Sequence, residues 1–174
     1  MPARIDRARQ PLHVDVSVGD PVTPAPTEIE YPALLGESFA VMGYPIDTVL
    51  AEKIVTIIDR GDATTRERDF ADVVLLIRNS RLDAARVTAP IVATRRPSSY
   101  ATAIASRGAG HAGWRATRGL GAVPRPAELT DHLPASYAAA VALVASFADP
   151  ILTGSVASGT WDPLHRTWRS HPSM

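Results

Sequence analysis

Residues Gly43 to Arg78, GYPIDTVLAEKIVTIIDRGDATTRERDFADVVLLIR, contain two apolar patterns of helical period separated by a short polar turn. A chain carrying this stretch is restricted to folds that include a helical hairpin. Pro45 suits the first turn of a helix, where its missing N–H costs nothing, and Ile46, Val49, Leu50, Ile54, Ile57 and Ile58 follow on one stripe. At about 100° per residue, Lys53 falls between Val49 and Ile57, near the middle of that stripe. It is also the only lysine in the chain. Two readings of it stand side by side. In one, the stem snorkels to the rim of the core; in the other, the ammonium faces a partner on the second helix.

That second helix is expected to start at a capping box, Thr64 with Glu67 three residues later, whose side chains satisfy first-turn N–H groups reciprocally. Phe70, Val73, Val74, Leu75, Leu76 and Ile77 then make it apolar nearly all round, as in a helix covered on several sides. Asp69 and Asp72 interrupt the run. Three apart, they share a face near the N-terminus, where the helix dipole favours negative charge. They are either ordinary first-turn acids or groups directed into a cleft shared with Lys53. The connection from Arg60 to Thr64 is short enough to set the two helices antiparallel and bring Lys53 and Asp69 together.

Upstream, Leu12, Val14, Val16 and Val18 alternate with His13, Asp15 and Ser17, which predicts a strand with one buried face and Asp15 at the centre of the other. Pro21, Pro24, Pro26 and Pro32 mark an extended connector with room for a short edge strand over Thr27 to Tyr31. Downstream, Asn79-Ser80 closes the second helix, a helical stretch is expected from Leu82 to about Ala93, and Arg95-Arg96-Pro97 breaks it. Tyr137 to Ala148 reads as a core helix with Tyr137, Val141 and Val144 on one side, stopped by Asp149-Pro150.

Charge is segregated although the formal net charge is zero. Between Gln10 and Asp59 eight acids face the single base Lys53, whereas Ala84 to Ala127 holds seven arginines and no acid. An acidic pole suits metal ions and a basic pole suits phosphate, so the pattern fits action on nucleotides or RNA. A solvated arginine-rich region is the alternative. Other chemistries find no support. The five histidines lack zinc-ligand spacing, there is no cysteine, and neither a P-loop nor a Gly-x-Ser-x-Gly elbow occurs. No apolar run reaches the roughly 20 residues of a membrane helix, and Met1 to Gln10 has no signal-peptide core, so a cytoplasmic protein without membrane partners is expected.

The order Tyr44-Pro45, Ala51-Glu52-Lys53, an arginine-bearing polar turn and Arg68-Asp69-Phe70-x-Asp72 resembles the C-terminal motif of the AbiEii/AbiGii toxin family of nucleotidyltransferases, which includes the MenT toxins. The resemblance runs from about Leu12 to Trp168. It implies that Lys53 contacts a nucleoside triphosphate with Arg66 and Arg68 near it, and that Asp69 belongs to the active site. Asp72, on the same grounds, supports the helix pairing. Asp15 lines up with the third metal-binding carboxylate, so the implied catalytic set is Asp15, Lys53 and Asp69, with Mg²⁺ on Asp15. The tail with Trp161 and Trp168 resembles the family's ending, where the indoles are expected to pack as a clasp.

Nucleotidyl transfer of this kind uses an Asp-x-Asp pair with a third carboxylate to hold two metals. No such pair preceded by a Gly-Ser turn occurs in the chain, and Gly154-Ser155 is read as a loop. The chain is therefore expected to enter the family pattern partway along, without its N-terminal third, and to bind Mg²⁺ weakly if at all. The expected architecture is α+β: residues 1–42 a partial nucleotidyltransferase sheet with a Pro-rich connector, residues 43–174 a mostly helical part. The resemblance implies a toxin of a toxin-antitoxin pair, with a cognate antitoxin as partner and tRNA or another RNA as acceptor. A non-catalytic remnant that keeps an RNA-binding or antitoxin-binding surface is the alternative.

Overall fold

The computed structural model describes residues 2–5, 8–11, 24–33, 36–60, 67–94 and 133–170. A small β region precedes a mostly α-helical one. The β region holds two antiparallel hairpins, β1 (Pro2–Ile5) with β2 (Ala8–Pro11) and β3 (Thr27–Tyr31) with β4 (Phe39–Gly43). Helices α1 (Ile46–Arg60), α2 (Glu67–Asn79) and α3 (Ala84–Thr94) follow, then α4 (Tyr137–Leu152). A three-stranded antiparallel sheet, β5 (Leu82–Asp83), β6 (Thr160–Asp162) and β7 (Thr167–Arg169), closes the helical part with β6 in the middle.

Helix α1 lies between α2 and α3, and α2 in turn packs on α4. The expected stripe supplies this core: Leu50, Ile54, Ile57 and Ile58 are buried, and Ala51 and Val55 extend the buried arc so that two neighbours can be met at once. The all-round apolar character of α2 has the same origin, with Phe70, Val73, Val74 and Ile77 buried and Phe70 set edge-on against Tyr137 of α4 at 5.2 Å. At the end of α2 the Asn79 side-chain amide donates to the Leu75 carbonyl at 2.7 Å, which satisfies one last-turn acceptor. Thr64, the expected cap at the other end, lies outside the described residues, as does the strand expected over Leu12 to Val18.

Three boundaries differ from the sequence reading, each for a physical reason. Gly43 ends a strand, since β4 pairs with β3 from Tyr31↔Phe39 to Thr27↔Gly43; the helix begins only at Ile46, with the Pro45 carbonyl accepting from Val49 N–H at 3.2 Å. Leu82 is no part of α3. It pairs with Trp161 across β5 and β6, and the helix starts after Asp83, whose carboxylate accepts from Arg86 N–H at 3.0 Å in the manner of an N-cap. Pro150 lies within α4, which runs on to Leu152. A proline inside a helix loses one backbone hydrogen bond and crowds the carbonyl four residues back. Here the cost is offset close by, because Thr153 N–H and hydroxyl both donate to Asp149 O and Ile151 is buried in the core.

The clasp joins the sheet to the helices. Trp161 is fully buried and donates its indole N–H to Ile77 O at 2.8 Å, while Trp168 donates to Phe147 O at 2.8 Å. Phe147 stands edge-on to Trp161 at 5.0 Å and stacks on Trp168 at 5.1 Å. Gly159 is needed where β6 approaches β7: its φ is +155° and a Cβ would sit 2.7 Å from the Arg169 carbonyl oxygen.

Between β6 and β7 the turn is organised by Asp162. Its carboxylate accepts from the Leu164 and His165 backbone N–H groups at 2.9 and 3.1 Å, and meets the His165 ring at 2.9 Å and Arg169 at 2.6 Å. The His165 backbone bond is the main cause that brings this carboxyl from 3.8 to about 2; the His165 ring, the Leu164 N–H and the charge of Arg169 add to it against a desolvation effect of opposite sign. A depressed carboxyl stabilises the turn above its unfolded value and ceases to do so as pH falls through the folded one. The turn is thus expected to persist at pH values where ordinary aspartates are already protonated and to loosen only near its own value of about 2. Following the Leu164 and His165 amide resonances down a pH titration checks this. A midpoint at the ordinary aspartate value would contradict it.

Candidate functional site

On α1, Lys53 follows the exposed Glu52 and sits four residues from both Val49 and Ile57. The helical period therefore points its stem toward α2 while the ammonium remains part-exposed, with 26 % of the side chain accessible. Asp69 and Asp72, three apart on α2, present both carboxylates to it. Lys53 Nζ lies 3.3 Å from Asp69 Oδ1 and 2.8 Å from Asp72 Oδ2. Asp69 is nearly buried and Asp72 about one-fifth exposed, so the triad runs from the inside of the hairpin to its rim.

Burial opposes the charge on Lys53, but the hydrogen bond and charge of Asp72, reinforced by those of Asp69, outweigh it and hold the ammonium above its ordinary value. Lys53 is fully protonated at neutral pH. It is also electrically committed, because one positive charge faces two carboxylates.

The structure brings Lys53, Asp69 and Asp72 together, and Asp72 comes closer than Asp69. Arg68 is exposed in the first turn of α2. Asp15 and Arg66 lie outside the described residues, as do Arg95 to Arg125 of the basic stretch.

Besides the Asp162 cluster with His165 and Arg169, a charged pair between helices escaped the sequence reading. Asp47, in the first turn of α1, is 3 % exposed and receives Arg86 of α3 at 2.9 Å, so this ion pair ties the two helices. No local spacing announces such a pair. The only signal was an acid in the first turn of an otherwise apolar helix, a position that the helix dipole explains without any partner.

The hairpin that carries the triad falls inside a span recognised by comparison with known families. A family model described as "Nucleotidyl transferase AbiEii toxin, Type IV TA system" matches residues 1–145. The chain belongs to this family. No curated protein and no solved structure matches it. The AbiEii match ends within α4, before Trp161 and Trp168, so the indole clasp stands on its own geometry rather than on the family pattern.

AbiEii membership implies Mg²⁺. Among the described residues no group of three or more His, Cys, Asp or Glu side chains converges in a way that could bind a metal ion. The acids nearest the family motif, Asp69 and Asp72, already surround an ammonium. A hard divalent ion takes six oxygens in octahedral array and would have to displace Lys53 to use them. The described residues do not fit a Mg²⁺ site. Among them, too, no helix is long and apolar enough to cross a membrane.

Proposed function

We propose that this AbiEii-family chain is a nucleotidyltransferase-like toxin component of a toxin-antitoxin system, directed at a nucleoside triphosphate and an acceptor such as tRNA, and weak or inactive as it stands. The observation that carries the reading is the Lys53 ammonium held between Asp69 and Asp72 across the α1–α2 hairpin, inside the span that matches the family. A lysine on a flexible stem engages phosphate as a point charge. Lys53 retains its proton and part of its surface, and Arg66 and Arg68 stand three and one positions before Asp69 in the sequence. Asp15 is proposed as the third carboxylate. The division into a sheet-bearing part up to residue 42 and a helical part from residue 43 belongs to the same reading.

Weak turnover follows from what the 174 residues contain. Without a Gly-Ser turn followed by Asp-x-Asp, nothing in the sequence matches the paired carboxylates that would fix the attacking hydroxyl against the triphosphate. A second reading is favoured by the same triad. An ammonium that already meets two carboxylates serves as a tie between helices, and a triphosphate must draw it away from at least one of them. In that case the chain is a non-catalytic member that keeps a surface for RNA or antitoxin.

The test incubates the full chain with each labelled nucleoside triphosphate, magnesium and total tRNA beside a Lys53→Ala control, and measures triphosphate binding in parallel by calorimetry. Binding weakened about tenfold by Lys53→Ala, the worth of one charge-assisted phosphate contact, with little or no label transferred, is the expected result. Equal binding by both proteins would overturn the role of Lys53, and strong Lys53-dependent transfer would overturn the expectation of weak turnover.

A further inference from the structure

Every residue of β3 is exposed, as are Phe39, Ala40 and Met42 of β4 with Val41 half-buried, and the register places the glutamates of β3 on one face and its large apolar side chains on the other. The pairs Ile29↔Val41 and Tyr31↔Phe39 lie on one face, whereas Glu28↔Met42 and Glu30↔Ala40 lie on the other. Ile29, Tyr31 and Phe39 are 43, 53 and 52 % exposed. The Tyr31 and Phe39 rings touch at 5.5 Å, and Gly43 leaves room for the Ile29 side chain, which a Cβ there would meet at 2.6 Å. The apolar side is thus a built platform that the described residues leave uncovered. Among the described residues β3 pairs only with β4, so its outer edge offers backbone donors and acceptors. Pro26 and Pro32 bracket β3 and confine any addition to its own five residues.

Charge decides what can add there. From Pro11 to Glu52 the chain has no lysine or arginine. Among the described residues Glu28 and Glu37 make no ion pair, and Glu30 accepts only from the Ser38 hydroxyl. Phosphate-rich ligands are repelled by such a surface, which excludes nucleic acid from this face.

We propose that the outer edge of β3 is a docking site for a strand of a partner protein in which apolar residues alternate with lysine or arginine. Main-chain hydrogen bonds extend the ribbon, as in other strand additions. The partner's apolar residues continue the row of Ile29 and Tyr31, and its basic residues continue the row of Glu28 and Glu30 on the opposite face. The site is separate from the Lys53 triad and does not depend on whether the chain transfers nucleotides.

The experiment titrates the isotope-labelled full chain with two short synthetic peptides, one alternating valine with lysine and the other valine with glutamate. The lysine peptide is expected to bind about tenfold more tightly, since each like-charge juxtaposition disfavours the wrong partner, and to perturb the amides of residues 27–31. A Glu28→Lys/Glu30→Lys variant is expected to reverse the preference; both positions are exposed, so thermal melting should match the parent and establish that the variant is folded. Equal affinity for the two peptides, or no reversal in the variant, overturns the proposal. So does slow exchange of the β3 amides that point away from β4 in the free chain, which means that the edge is already taken. Self-association of the parent that the variant abolishes overturns the choice of a foreign partner in favour of a second copy.

Discussion

Replacing Trp161 by alanine is expected to destabilise the chain by about 3–5 kcal/mol, the range for large aromatic deletions in a core. The indole is fully buried, lies on Phe147 and Trp168, and donates to the Ile77 carbonyl at 2.8 Å. Alanine leaves a cavity between the sheet and α4 and strips a buried acceptor of its donor, so both costs add. Since whole domains are stable by only about 5–15 kcal/mol, the variant should unfold at clearly lower urea concentration or be largely unfolded at 37 °C. Trp161→Phe separates the contributions: it refills most of the volume but cannot donate, and should recover more than half of the loss. Urea denaturation followed by circular dichroism measures both. An alanine variant with an unchanged midpoint would show that the β5–β6–β7 sheet is dispensable to the core.

The helical hairpin was legible because its cause is local. Ile46 to Ile58 and Phe70 to Ile77 repeat at the helical period, and a hairpin with a short turn has little freedom in how those stripes meet. Position along the stripe also singled out Lys53, since an ammonium placed between Val49 and Ile57 needs an acid within reach. Boundaries set by distant partners were not legible. Leu82 has the composition of a helix start, and only pairing with Trp161 in β6 makes it a strand. Asp47 looks like a dipole-stabilised first-turn acid until Arg86 of α3 reaches it. Pro150 reads as a stop because the residues that offset it, from Ile151 to Val156, act through the core and through turn hydrogen bonds. The ribbon was half visible: Thr27 to Tyr31 sits in a proline-rich connector, and its partner Phe39 to Gly43 was hidden by a motif that begins to read as helix at the same glycine.

Lys53→Met tests the triad independently of any nucleotide. Methionine keeps most of the stem's volume and removes the charge, so Asp69 and Asp72 face each other without the ammonium between them. Losing one partner of a buried pair costs about 3–5 kcal/mol, but this side chain is 26 % exposed and Asp72 reaches solvent, so screening reduces the expected loss to about 1–3 kcal/mol. The pH dependence has a definite sign. The folded-state value of Lys53 is raised above 10.5, chiefly by Asp72 against the cost of burial, so the ammonium binds its proton more tightly in the folded chain than in the unfolded one. Its stabilisation is therefore fully present below the unfolded value and is lost as pH rises through the folded one. The gap between parent and Lys53→Met should be constant near about pH 7 and narrow only at pH values above the ordinary lysine value of 10.5, where the parent lysine also becomes neutral. Adding Asp69→Asn to Lys53→Met removes the charge of the more buried carboxylate and should restore part of the lost stability, which a double-mutant cycle resolves. A gap that does not narrow at high pH would assign the loss to packing of the stem rather than to the charge. The ammonium would then be free of structural duty and available to a phosphate.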